Sequence, residues 1–280
     1  MRDIGSLGGP DTLVNWQNAR GEITGQSYTS GTANAATGIP TQDPFLWDKG
    51  RMRDLGTLGG TVGFGSWIDT RGEVAGCSDL AGDRVSRPFV WNGRRMVDLG
   101  SLGGPTGCAN WIADSGIVAG YALTAGKNFH GFLWRNGRMQ DLKPIGGAPW
   151  AFANSVNDSG IVVGRETDTK FNELFAVLWK HGRAYNLNKL IAPARLRLTS
   201  AEYISNNGDI VGNAILPNGD RRVFLLIRNH SVPLPAVSRP GLGGTVTPVP
   251  AYTMRVAADT TLPAALRWLL RLSVMRRVTA

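Results

Sequence analysis

Apolar and polar residues alternate with a period of two through most of the chain, in short runs broken by Asn, Asp and Gly. This is the pattern of half-buried strands joined by tight turns. Over residues 65–99 it predicts four strands, at about Gly65–Asp69, Gly72–Ser78, Pro88–Trp91 and Arg95–Leu99. The first turn of that set reads Asp69-Thr70-Arg71-Gly72. Its counterparts are Asn18-Ala19-Arg20-Gly21, Ala113-Asp114-Ser115-Gly116, Asn157-Asp158-Ser159-Gly160 and Ser205-Asn206-Asn207-Gly208. An Asn or Asp early and a Gly late suit a hairpin with one left-handed residue.

The four-strand phrase repeats. Met1-Arg2-Asp3-Ile4-Gly5 returns as Met52-Arg53-Asp54-Leu55-Gly56, Met96-Val97-Asp98-Leu99-Gly100 and Met139-Gln140-Asp141-Leu142, with a weaker copy at Ala184-Tyr185-Asn186-Leu187. The strong copies run into Gly8-Gly9, Gly59-Gly60, Gly103-Gly104 and Gly146-Gly147. Trp16, Trp67 and Trp111 share the next fixed position, where the later copies hold Ser155 and Tyr203; Trp47, Trp91, Trp134 and Trp179 share another. Four short antiparallel strands about every 44 residues match a propeller blade. The expected fold is therefore all-β, a β-propeller of about five four-stranded blades over residues 1–229. A Pro/Gly/Thr-rich linker at 230–261 and a short basic helix at 262–280 complete the expected organisation. The ring is expected to close by pairing an N-terminal strand, Met1–Leu7, with the last three strands, which end near Phe224–Arg228. A competing closing strand at Val232–Leu234 is interrupted by Pro233 and Pro235, which cannot donate to a ladder.

Composition narrows the function classes. The chain carries 37 Gly and only 18% charged residues, which suits many turns. Its net charge is +9, but residues 230–280 supply five of those charges, and the body has no basic stripe interleaved with aromatics. Nucleic-acid binding is not expected. Three His at unrelated positions and two Cys offer no metal set, and no cofactor motif is present. Cys77 and Cys108 lie in neighbouring repeats and could bridge in an oxidising compartment; the expectation is two unpaired core residues.

The phrase Met-x-Asp-Leu-Gly-x-Leu-Gly-Gly, followed by a Gly-x-Val-x-Gly strand and an aromatic-Leu-Trp-x-x-Gly unit, resembles the HAF repeat family, whose members are expected to be extracellular. The resemblance covers about residues 1–229. The tripeptide that names the family is nowhere literal: its positions hold Asp43-Pro44-Phe45, Arg87-Pro88-Phe89, His130-Gly131-Phe132, Phe175-Ala176-Val177 and Val223-Phe224-Leu225. The resemblance implies export from a bacterial cell, a propeller-like fold and no established activity. The chain as given shows no signal peptide, and Met1 occupies the place of Met52, Met96 and Met139. Two readings stand side by side: a natural start upstream, or a complete ring closed by the N-terminal strand.

Most eye-catching residues read as architecture. A Trp placed once per blade is packing, which leaves Trp150, in the connection before the fourth set, as a candidate ligand contact. Asp3, Asp54, Asp98 and Asp141 read as carboxylates bonding backbone donors, and the Gly pairs as turns. The loops between second and third strands vary most between units. With the connections between blades they should gather on one face, and that face supplies the candidate ligand-binding residues Trp150, Tyr28, Arg84, Lys127, Arg221 and Arg222. No catalytic residue and no metal ligand is assigned. The functional expectation is a non-enzymatic extracellular binding or scaffold module whose loop face contacts a polysaccharide or a protein. The alternative is a glycan-cleaving enzyme, which a pair of acids with raised pKa on that face would favour. The 262–280 tail is a candidate for peripheral contact with an anionic membrane.

Overall fold

The computed structural model describes residues 3–35, 37–145, 147–232, 234 and 251–256. These residues are all-β and form five antiparallel four-stranded meanders in chain order. The first unit is β1 (Thr12–Gln17), β2 (Ile23–Ala33), β3 (Pro40–Asp48) and β4 (Arg51–Asp54). The second is β5 (Gly59–Ile68), β6 (Val74–Leu80), β7 (Ser86–Trp91) and β8 (Met96–Asp98). The third is β9 (Gly103–Ile112), β10 (Val118–Thr124), β11 (Phe129–Arg135) and β12 (Arg138–Leu142). The fourth is β13 (Trp150–Val156), β14 (Val162–Thr167), β15 (Glu173–Lys180) and β16 (Arg183–Asn186). The fifth is β17 (Arg197–Ile204), β18 (Ile210–Ile215), β19 (Arg221–Arg228) and β20 (Tyr252–Val256). Single parallel bridges, Gln42↔Val62 and Ser86↔Thr106, tie the first three units together.

One local device recurs in every unit. The first strand skips a residue in its pairing, at Asn15, Ser66, Asn110, Asn154 and Glu202, so each carries a β-bulge. The bulge presses a carbonyl of the first strand into the second, where only glycine fits. A Cβ added to Gly25, Gly76, Gly120, Gly164 or Gly212 would lie 1.9, 2.0, 2.0, 1.9 or 2.1 Å from that oxygen. In the first four units the skipped side chain is thereby turned towards the next unit. Asn15 donates to the Gly65 carbonyl (2.8 Å), Asn110 to Ala153 (2.8 Å) and Asn154 to Ala201 (2.9 Å).

A second set of bonds joins the hairpins at the end of the first strands. Asn18 donates to the Asp69 carbonyl, Asp114 accepts from the Thr70 amide, Asp158 from the Ser115 amide, and Asn206 from the Asp158 amide, at 2.7–3.0 Å. Apolar clusters fill the junctions between units, such as Ile117 and Ala119 against Val156, Val162 and Trp179. The half-buried rings of Trp16, Trp67 and Trp111 stack successively at 3.4 Å, and Tyr203 lies 5.4 Å from Trp111. Three Asp of the repeated phrase bond nearby backbone, Asp3 accepting from Gly5 (2.9 Å), Asp54 from Gly56 (2.7 Å) and Asp98 from Gly100 (2.8 Å), whereas Asp141 meets the His130 side chain (2.8 Å).

Four expectations from the sequence change. The last unit is completed not by the N-terminal segment but by β20, which pairs with β19 from Phe224↔Val256 to Arg228↔Tyr252. The N-terminal segment lies instead on β2, where the Leu7 amide finds Ser27 Oγ (3.0 Å) and Gly9 finds the Tyr28 carbonyl (2.9 Å). The span expected as a linker, 230–261, therefore contains a strand; the rest of it and the 262–280 helix fall mostly or wholly outside the described residues. Gly59-Gly60 and Gly103-Gly104 open β5 and β9 rather than forming turns, because a Cβ on Gly60 would lie 2.7 Å from the Asp79 backbone. Finally, Cys77 and Cys108 are joined in a disulfide between the second and third units rather than standing unpaired.

The chain of junctions is incomplete at its ends. Leu13 and Val14 on β1 are 61% and 62% exposed, whereas Ala109, Ala153 and Ala201, which occupy the place of Val14, are fully buried. At the other end the bulge residue is Glu202, a carboxylate that accepts from Ser200, Asn154 and Asn213 and has no proton to donate onward.

Gly164→Ala should destabilise the fold by about 3 kcal/mol or more, while Gly31→Ala, with open space around it, should be neutral to about 0.5 kcal/mol; denaturant unfolding compares them. Reduction of the Cys77–Cys108 bridge, which spans 31 residues, should lower stability by about 3–4 kcal/mol in the same measurement.

Candidate functional site

The loops between second and third strands share a face with the connections between units. Thr61 N bonds Asp83 Oδ1 (2.6 Å), and Ala125 N bonds the Leu102 carbonyl (3.3 Å). The hairpin turns on this face demand a left-handed residue, and in the fifth unit Gly219 supplies it (φ +90°). In the second and third units the same place is taken by Asp83 and Lys127 (φ +55° and +60°), and in the fourth by Phe171, at φ +63° and 58% exposed. A left-handed bulky residue costs about 1–2 kcal/mol, and it persists only where its surroundings fix it. Asp168 does the fixing. Its carboxylate accepts from Lys170 N (2.8 Å), Asn172 N (2.9 Å) and Asn172 Nδ2 (2.8 Å), and the Asn172 bonds hold it below the usual carboxylate range.

Phe171 is the outermost ring of an aromatic group. It lies 4.7 Å from Trp150 and 6.0 Å from Phe152, and these continue to Phe129 and Tyr121. Beside it opens a cleft of about 470 Å³ between the fourth and fifth units, lined by Arg165, Phe171, Asn172, Glu173, Arg197, Thr199, Ile215 and Arg221. Arg165 stacks its guanidinium over Phe152 (5.2 Å) and donates to Asn154 Oδ1 (3.2 Å). Arg197 reaches back from β17 to the carbonyls of Leu174 and Glu173. Arg221 lies 3.7 Å from the Glu173 carboxylate. An exposed ring above convergent, oriented donors can hold a flat apolar face and polar substituents together.

The sequence candidates distribute unevenly over this geometry. Trp150 touches Phe171, and Arg221 lines the cleft. Arg222 points to Asp220 instead (3.1 Å). Tyr28 on β2, Arg84 after β6 and Lys127 after β10 sit on their own units and do not line the cleft. Phe171, Arg165 and Arg197 were not singled out by the sequence; the signal for Phe171 was its place opposite Gly219 in the hairpin turn.

Burial raises the pKa of four carboxyl groups, Asp43, Glu73, Asp79 and Glu166, and none of them lines the cleft. Asp43 is pushed up to about 7 by burial and by Asp54 beside it. It occupies the third-strand position of His130, which meets Asp141 at 2.8 Å in the third unit. Glu166 is fully buried and pushed up to about 7 by that burial, against one backbone bond from Ile145 (2.8 Å). The corresponding residues Ser27 and Ser78 accept the amides of Leu7 and Leu58 in the same way (3.0 and 2.8 Å), so Glu166 holds a connection in place.

No family model and no curated protein matches the chain. Among solved structures, a fucose lectin from Kordia zhangzhouensis in complex with methyl-fucoside matches with 15% identity and a TM-score of 0.28, over 45% of this chain and 94% of its own. A likeness at that score carries no argument about fold or ligand.

Burial raises Glu166 above its ordinary value of 4.5, so the stability held by its neutral carboxyl is complete below about pH 4.5 and is lost as pH rises towards about 7. Glu166→Gln should flatten that fall and raise the melting temperature above pH 7, leaving stability at low pH unchanged. Asp43 contributes to the same slope and should leave part of it in the variant. Melting temperatures taken across this pH range decide the matter; an unchanged slope means the carboxyl is hydrated.

Proposed function

We propose that this chain is a non-enzymatic glycan-binding module, built as a propeller-like arrangement of five blades and acting outside the cell, with the cleft under Phe171 as its ligand site. The observation that carries the reading is Phe171 itself, a bulky, solvent-facing ring held in a left-handed turn beside a cleft of ordered polar groups. Asp83 and Lys127 hold the same backbone conformation in the second and third units, so what sets Phe171 apart is the bulky exposed ring it places beside the cleft.

The remaining parts of the reading have separate support. Rings two units apart come as close as 6.2 Å (Trp16 and Trp111) and 5.4 Å (Trp111 and Tyr203), as expected of blades radiating from an axis. A disulfide stapling two units suits an oxidising compartment, which agrees with the extracellular placement implied by the HAF resemblance. The glycan-cleaving alternative needs raised-pKa acids at the ligand, and none of Asp43, Glu73, Asp79 and Glu166 lines the cleft.

A glycan panel with product analysis tests the proposal. Retention of a polysaccharide without product release is the expected result, and Phe171→Gly should abolish retention while leaving the melting temperature level or slightly raised. Release of shortened products would establish the enzyme instead. Retention that survives in Phe171→Gly would move the site elsewhere.

A further inference from the structure

We propose that the cleft between the fourth and fifth units selects acidic polysaccharides, recognising a sugar carboxylate or sulfate through Arg165, Arg197 and Arg221. This inference rests on the glycan-binding reading and names the ligand class.

Three guanidinium groups line one cleft of about 470 Å³, against a single lining carboxylate, Glu173. That carboxylate lies 3.7 Å from Arg221, while Arg165 and Arg197 make no ion pair among the described residues. Lys170 and Asp168 in the adjoining hairpin cancel one another, and Asp168 is already engaged by its own turn. The cleft therefore carries an excess of positive charge on groups that cannot lose it, since arginine stays protonated throughout the accessible pH range.

The guanidinium groups are also oriented before any ligand arrives. Arg165 is clamped between the Phe152 ring and Asn154, and Arg197 is tied to two backbone carbonyls. Each has spare N–H donors, because a guanidinium carries five and these bonds use one nitrogen of each. Planar donors fixed in advance suit carboxylate and sulfate oxygens, where paired charge-assisted bonds form at little entropic cost. Phe171 at the rim adds a face for the apolar side of a sugar ring, a feature that a site for a free anion would not need.

Matched pairs of polysaccharides separate this inference from the reading beneath it. Polygalacturonate is compared with its methyl ester, and carrageenan with agarose, by affinity electrophoresis and calorimetry on the full chain. The expected result is preference for the charged member of at least one pair, and the pair that shows it identifies carboxylate or sulfate as the recognised group. Arg197→Gln with Arg221→Gln should weaken that binding about tenfold or more. Arg94→Gln with Arg95→Gln, the same loss of two charges in the exposed turn between β7 and β8, should stay within about twofold. Arg221→Gln alone, at an exposed position, gives the smaller effect should the double variant lose its fold. Equal binding of charged and neutral members would overturn the inference and leave glycan binding standing. Equal retention of polyglutamate or of a DNA duplex would also overturn it, as attraction by charge alone. Retention of no polysaccharide at all would sink the underlying function instead.

Discussion

Everything in this molecule depends on the fit between a bulge in the first strand of each unit and a glycine in the second. The bulge brings a carbonyl to within about 2 Å of where a Cβ would stand, so the neighbouring strand must have none. The same irregularity turns an Asn amide out of its own sheet and onto the backbone of the next unit. One constraint thus sets both the internal geometry of a unit and its attachment to the following one. A regular strand would point that Asn along its own face and leave the junction to apolar packing alone.

The rigid stack also explains how the loop face can hold strained conformations. Hairpins that differ in sequence are grafted on nearly identical strand pairs, so a turn residue can be exchanged without shifting its supports. In the fifth unit the left-handed place is filled by Gly219; in the fourth, Phe171 is forced into it and fastened by Asp168 and Asn172. Asp83 and Lys127 fill the place in the second and third units, and only the fourth unit's turn puts a bulky exposed ring there. That ring lies beside the arginine-lined cleft.

The strand order and the period of the units were legible because alternation, turn glycines and repeated aromatic positions all report local backbone geometry. Closure was not. Residues 252–256 lie beyond a Pro-rich stretch that reads as linker, and only their pairing with β19 shows them to be a strand. The disulfide escaped for a similar reason, since two cysteines in different repeats have no defined distance until neighbouring units are packed. At the candidate site, Trp150 and Arg221 were visible as an off-repeat Trp and a loop cation. Arg165 and Arg197 were not, because strand residues of two different units become neighbours only when those units meet.

The junction bonds give the assembly a direction. The Asn amides at the bulges and the turn bonds from Asn18, Thr70, Ser115 and Asp158 all donate from one unit to the next, while Arg197, Ile204 and Asn206 donate back from the fifth unit to the fourth. Three identical Asn amides, each meeting a backbone carbonyl of the following unit, orient neighbouring units without telling one unit from another, so the order of the five rests on what differs between them, such as the Cys77–Cys108 bridge and Glu202.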